Sequence, residues 1–527
     1  MKKFFSFLIV ILISASISHA NHFTGGEITW TCQGSNYVFH VKFYRDCNGI
    51  PGPNPSLDLQ TTVPGLSLIN CVLISTADIT PQGSSTSGNI NCSFCDSATG
   101  STPGTVEEYY YESAAITLPG IPPASGWTFY YESCCRSGMI INISNPISYS
   151  TLLRAKMYPH SGSLAGQCTD ASPGFSEKPM VLQCNSYQVN FNNCSEDAEH
   201  DSLSYSWDYP QSSGGVNIPF APGYSVNSQL PGTVQNPNNV AETLNSHSGQ
   251  ISYKSYTSGI FVTVIKVAAY KCGELVAEIF REINLTLLNG CKIPTSSGLV
   301  DNNAPQITPP FPGPAPWTTT VCAGDLVEFN LPFIDSDLHP VLGVQSVVID
   351  AAGEEFGTGF SNANAGCPFL PCATLAPAPP YSVIYGSQIT FHWQTSINHL
   401  VCKPDYYFYF RLKDNFCPSP ALNYQTVKIT VLPPNCNVGI DGHSAFNSGL
   451  NIFPNPVKDE LIVTGYLLSG KKSGLKIYDL MGRIIYQTEI LISNSAVKIN
   501  ISELKSGIYF LAITTNAGNW ARKIVRQ

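Results

Sequence analysis

The chain has 527 residues, a formal net charge of -9 and only 12% charged residues. No basic stripe is available to follow a phosphate backbone, which argues against nucleic acid as a partner. Sparse charge together with 42 Gly, 39 Pro, 26 Tyr and 26 Phe fits an all-β extracellular protein rich in turns, long enough for three or four domains.

Residues 1–20 read as a secretory signal peptide. Lys2 and Lys3 form the charged start, Phe4 to Ile17 the apolar stretch and Ser18-His-Ala20 a small-x-small cleavage site. An apolar run of about 14 residues is short for a membrane span of roughly 20. All 18 cysteines follow residue 20, and export to an oxidising compartment makes disulfides the default expectation.

Residues 21–160 are expected to form a disulfide-stapled β domain. They open Gly25-Gly-Glu-Ile-Thr-Trp30 and continue into the alternating strand Tyr37-Val-Phe-His-Val-Lys-Phe-Tyr44. This combination resembles the N-terminal segment of large secreted proteins from gliding bacteria, for which no chemistry carries over. Cys92-Ser-Phe-Cys95 has redox-pair or half-zinc spacing, but Pro/Ser/Gly loops surround it and no second ligand pair is near, so structural disulfides are favoured. Cys134 and Cys135 are expected on opposite faces of a strand, each with a different partner.

Two segments, 170–292 and 318–436, share a frame. One opens Cys184-Asn-Ser-Tyr-Gln-Val-Asn-Phe-Asn192, the other Cys322-Ala-Gly-Asp-Leu-Val-Glu-Phe-Asn330. Each continues into an acidic turn, Asp197-Ala-Glu-His-Asp201 or Asp335-Ser-Asp337, and each closes on two cysteines 19 residues apart, Cys272 and Cys291 or Cys417 and Cys436. Repeat length and strand spacing suit tandem Ig-like or cadherin-like sandwiches, joined by a Pro-rich spacer at 293–317. Cys184, Cys272, Cys291, Cys322, Cys417 and Cys436 are disulfide candidates with connectivity open. Asp201-Ser-Leu-Ser-Tyr205 and Leu412-Lys-Asp-Asn-Phe416 resemble fragments of cadherin-like and polycystic-kidney-disease-type repeats. That resemblance implies a structural calcium held by Asp335, Asp337 and Asp414, with strand-capping acidic turns as the favoured alternative.

No Gly-x-Ser-x-Gly elbow, His-Glu-x-x-His or phosphate-binding glycine loop is present, so no catalytic residue is assigned. The expectation is a non-enzymatic, adhesin-like or structural binding protein, with a glycan or protein ligand that sequence cannot name. The alternative is a carbohydrate-active enzyme or peptidase with an unrecognised site. Runs such as Tyr109-Tyr-Tyr111, Tyr130-Tyr131 and Tyr406-Tyr-Phe-Tyr-Phe410 could offer stacking surfaces, although core packing is favoured for them.

After a polar linker at 437–449, residues 450–527 form a small β domain of short β-branched strands. Four motifs stand in order: Phe453-Pro454-Asn455-Pro456; Tyr478-Asp479 leading to Gly482-Arg483; Gly507-Ile-Tyr509; and a basic tail containing Lys523. This set resembles the type A C-terminal sorting domain of the type IX secretion system. The resemblance implies recognition by the secretion machinery, removal of the tail within the 437–449 linker, and cargo that is released or attached to surface lipopolysaccharide on the outer face of the outer membrane.

Overall fold

The computed structural model describes residues 23–81, 95, 101, 104–339, 343–357, 359–360, 366–367, 369–400, 403–434, 436, 451–464, 471–479, 483–492, 497–515 and 518–527. The expected signal peptide and the expected cleavage linker lie outside the described residues. The chain is all-β, with no α-helix among the described residues. It divides into two compact units, Met1–Cys436 and Asn437–Gln527.

Local patterning explains the strands. Leu326–Ile334 alternates strictly between exposed and buried positions, turning Val327, Phe329, Leu331 and Phe333 inward. Its partner Gly386–Gln394 supplies Ile389, Phe391 and Trp393 to the same core. The aromatic runs are also core: Tyr109, Tyr111, Tyr406, Phe408, Tyr409 and Phe410 are all buried.

The sheets of the first unit cross the divisions that the sequence suggests. The expected N-terminal domain supplies seven strands, in spatial order Phe23–Gln33, Asn36–Asp46, Val106–Ser113, Leu68–Asp78, Ser56–Thr61, Trp127–Ser133 and Thr151–Met157. The same sheet continues into Glu274–Leu288, Gly259–Lys271 and Ser202–Trp207 of the first repeat. Glu274–Leu288 is the junction. One edge pairs along its length with Gly259–Lys271. The other pairs in turn with Thr151–Met157 at Ala277 to Ile279, with Phe23–Gln33 at Glu282 and Ile283, and in parallel with Leu182–Cys184. At this crossing Gly25 has φ +141, and a Cβ there would lie 2.0 Å from the carbonyl oxygen of Glu282. Only glycine permits so close an approach of the two backbones.

The two repeats also share a sheet. Gln188–Phe191 of the first pairs in parallel with Leu422–Leu432 of the second, at Asn190 and Asn423, inside an eight-stranded sheet. One hydrophobic core accordingly extends from Phe23 through Phe191 and Phe261 to Tyr424. A second core lies within residues Ala323 to Val431. The shared sequence frame still marks equivalent features: Val189 and Phe191, like Val327 and Phe329, are buried. Cys184 bonds Cys291 and Cys322 bonds Cys436, closing each repeat from first to last cysteine. Loops of this length correspond to roughly 4–5 kcal/mol in the chain-entropy model.

Buried charges fasten the same junction. Arg281, 2% exposed, forks onto Glu27, with Nη2 to Oε1 at 3.1 Å, and donates to the Glu177 carbonyl and to Asn193 Oδ1. Burial alone would raise the Glu27 carboxyl, but Arg281 and Lys42 hold it near 2. Arg281→Ala leaves Glu27 as a buried anion with only Lys42 beside it. A loss of about 3–5 kcal/mol is expected in equilibrium unfolding of the first unit; a loss below about 1 kcal/mol would contradict this role.

Candidate functional site

The sorting motifs, distant in sequence, meet in the second unit. Two sheets enclose a core of Val457, Leu461, Val463, Leu475, Ile477, Leu511, Ile513 and Ile524. Asn455 is the clasp: its Nδ2 donates to the Lys523 carbonyl at 2.9 Å and its Oδ1 accepts from Val525 N at 2.8 Å. Val457 N then donates to Val525 O, and Gln527 N donates to Val457 O. The Phe-Pro-Asn-Pro opening is therefore zipped to the final strand. Asp479 closes the central turn by accepting from Arg483 N at 2.9 Å and Arg483 Nε at 2.7 Å; Gly482 lies outside the described residues. Tyr478 is opposite Phe510, Phe510 is opposite Lys523, and Gly507 is opposite Arg526. Tyr509 anchors its ring by donating to the Lys505 carbonyl.

The three aspartates proposed for calcium do not converge. Among the described residues the only set of three metal-ligating atoms within 4.8 Å of one another is Cys47, Asp78 and Cys95, two of which form a disulfide. Asp335 Oδ1 accepts from Asp337 N at 2.9 Å, and Asp337 Oδ2 accepts from Asn303 N at 2.6 Å. Asp414 accepts from Phe416 N, Ala421 N and Asn302 Nδ2. N–H donors aimed at these oxygens suit capping rather than a cation. Asp335 Oδ2 alone is buried without a hydrogen-bond partner. Burial pushes the Asp335 carboxyl up to about 6 and that of Asp414 up to about 8.

The cysteines depart from expectation at one place. Cys134 and Cys135 bond to each other. The strand ends at Ser133, so strand alternation does not govern the pair. Cys32 bonds Cys168, Cys47 bonds Cys95 and Cys367 bonds Cys372. Cys272 and Cys417 are each disulfide-bonded. Cys71 and Cys194 are buried free thiols, and burial pushes the Cys71 thiol up to about 12, which makes it inert.

The first unit also contains a cleft of about 970 Å³ that no sequence motif announces. Its wall combines Thr29 to Thr31, Phe175 to Lys178, Glu196 to Ala198 with His200, and Val348, Asp350, Glu354, Phe360, Arg411 and Lys413. Arg411 bridges Glu177 and Asp350, at 2.6 Å each. His200 Nδ1 lies 3.4 Å from Glu354 and 3.6 Å from Glu355, whose other oxygen lies 3.6 Å from His399 Nε2. Burial holds the His200 ring down at about 4 and raises Glu355 to about 8, so both are neutral at pH 7. The cleft residues come from three segments spread from Thr29 to Lys413, and of these the acidic turn Asp197 to Asp201 is the one that sequence marks as a candidate.

Residues 451–527 match the family described as the secretion system C-terminal sorting domain. The second unit is thus a sorting domain, of the type IX secretion system, and it marks the chain as a secreted or cell-surface protein that engages that machinery. No curated protein matches the chain in sequence. Among solved structures, the chain is similar to the CupB2 chaperone of Pseudomonas aeruginosa, at 10% identity over 40% of this chain and 97% of that one, with a TM-score of 0.14. The YadV chaperone gives 13% identity over 42% and 100%, with a TM-score of 0.16. Eight N-terminal Ig domains of Down Syndrome Cell Adhesion Molecule give 10% over 96% of this chain and 49% of that one, with a TM-score of 0.20. None of these scores supports a shared arrangement of domains.

Asn455→Ala removes both bonds to the final strand. The sorting unit is expected to lose about 1–2 kcal/mol in urea unfolding, and an unchanged midpoint would show that the clasp carries no stability. Chelation by EDTA is expected to leave the melting temperature of the full chain unchanged; a calcium-dependent rise would restore the cation site.

Proposed function

We propose that the region before the sorting domain is a non-enzymatic, adhesin-like binding protein, exported by the type IX route and displayed on, or released from, the outer face of the outer membrane. The observation that carries this reading is the first unit itself, in which shared sheets join three sequence segments, a disulfide closes each repeat, and a cleft of about 970 Å³ opens among all three. A body of this kind holds a binding surface in place outside the cell, where chaperones and reductants are absent. Attachment to lipopolysaccharide and tail removal within 437–449 belong to the same proposal.

A hydrolase is the second reading, favoured by one feature: carboxyl groups and a histidine meet in the cleft. A glycan and protein binding array run beside a hydrolase panel separates the two. Ligand capture without turnover is expected; turnover abolished by one substitution at Glu196 or Glu354 would make the protein an enzyme.

Export has its own test. The chain truncated before residue 451 is expected to accumulate in the periplasm, and normal surface display of that truncation would refute the targeting role.

A further inference from the structure

The cleft is lined by two carboxyls that each keep one oxygen without a hydrogen-bond partner among the described residues. Glu196 Oε1 and Asp197 Oδ2 are buried without a hydrogen-bond partner, and both residues line the cleft. Asp197 is 1% exposed. Beside them His200, 3% exposed, has neither ring nitrogen hydrogen-bonded. Buried polar groups are ordinarily paired, and an unpaired carboxylate oxygen costs more than a neutral one. Such groups gathered at the wall of an open cleft mark a place where a ligand supplies the donors.

The charges around the wall determine the sign of that ligand. Arg411 pairs with both Glu177 and Asp350, which leaves that trio one negative charge, while Lys403 pairs with Glu354 and Glu108 with Lys178. Glu196 and Asp197 remain, with Lys413 as the one opposing cation on the lining that forms no ion pair among the described residues. The rest of the lining is largely apolar, including Phe175, Val348, Phe360 and Pro380. Among the described residues no three metal-ligating atoms gather here, so the site is not built for a metal ion.

We propose that the cleft binds an aliphatic chain ending in a primary ammonium, either a lysine side chain of a partner protein or a free diamine, with the ammonium donating to Glu196 Oε1 and Asp197 Oδ2. An ammonium has three donors and no acceptor, which matches two orphan acceptors, and its methylenes fit an apolar wall. The proposal rests on the binding-protein reading and names the chemistry of its ligand.

Affinity should depend on pH. Burial pushes the Glu196 carboxyl up to about 7 and raises Asp197 well above the usual carboxylate range. Glu354, paired with Lys403, faces both, and Glu199 and Asp201, the latter paired with Lys271, face Asp197; these carboxyls push the two groups up, while burial lowers the His200 ring. The Glu196 carboxyl gains a proton as pH falls from 8 to 6, whereas an alkyl amine stays charged throughout. Binding therefore weakens toward pH 6.

Isothermal titration of the purified full chain with 1,5-diaminopentane and with the tripeptide Gly-Lys-Gly, each beside its N-acetylated side-chain form, tests this. The amines should bind at pH 8 and the acetylated forms should not. The double substitution Glu196→Gln, Asp197→Asn should weaken binding at least about tenfold, and Lys254→Ala, outside the cleft lining, should not. If the double variant fails to fold, Glu196→Gln alone carries the same direction. Tight binding of the diamine alone identifies a small-molecule source; binding of the peptide alone or better identifies a protein partner. No binding of either, equal binding of acetylated forms, or undiminished binding in a folded variant overturns the proposal. Any of those results leaves the array and export tests untouched, so the two readings fail separately.

Discussion

Arg281 sits on the junction strand with its guanidinium between segments that no local signal connects. It holds Glu27 from the N-terminal strand on one side and the Glu177 carbonyl and Asn193 on the other, under the ring of Phe175 at 4.0 Å. Glu177 in turn accepts from Arg411 at 2.6 Å and from the Tyr424 hydroxyl at 2.8 Å, and Arg411 continues to Asp350 beneath Phe360. This chain of charges passes through all three segments of the first unit. The Arg281 guanidinium is desolvated, so its geometry must be met closely, and partial assembly leaves a charge buried without its counterpart. Shared sheets and shared charges are two expressions of one constraint: the segments have to fold together.

The cleft follows from that constraint. Its walls come from all three segments, and the ion pairs that join the segments also form part of its lining. Phe175 and Phe360 cover the two guanidiniums and so are unavailable as free stacking platforms. Glu196, Asp197 and His200 line the same cavity with buried polar atoms that lack a partner among the described residues. Rigidity and an unpaired polar site are complementary here, because a stiff scaffold can keep such groups unsatisfied until a ligand arrives.

The sorting unit follows a different logic. Its recognition features are local turns and strands, yet Asn455 makes the first motif depend on the last strand through Lys523 and Val525. A truncated or unfolded tail therefore loses the opening motif's geometry together with the end of the chain. Order and spacing of the motifs were legible because each is a short run of turn or strand chemistry. Their mutual contact was not, because nothing in Phe-Pro-Asn-Pro states which backbone the Asn side chain will bind.

Sequence alone determined the all-β character, the sorting domain and the repeat frame whose first and last cysteines bond. These rest on composition, strand alternation and local motifs, which act over a few residues. Tertiary structure decided the rest. Long-range strand pairing at Glu274–Leu288 and at Asn190 with Asn423 merged the expected domains, because an edge strand pairs with whichever backbone reaches it. Cys134 bonds Cys135 just past the end of a strand, where alternation predicts separate partners. Asp335, Asp337 and Asp414 are drawn to nearby N–H groups, a choice set by loop geometry. The cleft at Glu196, Asp197 and His200 exists only once distant segments have packed, since burial is what turns ordinary acidic residues into unpaired ones.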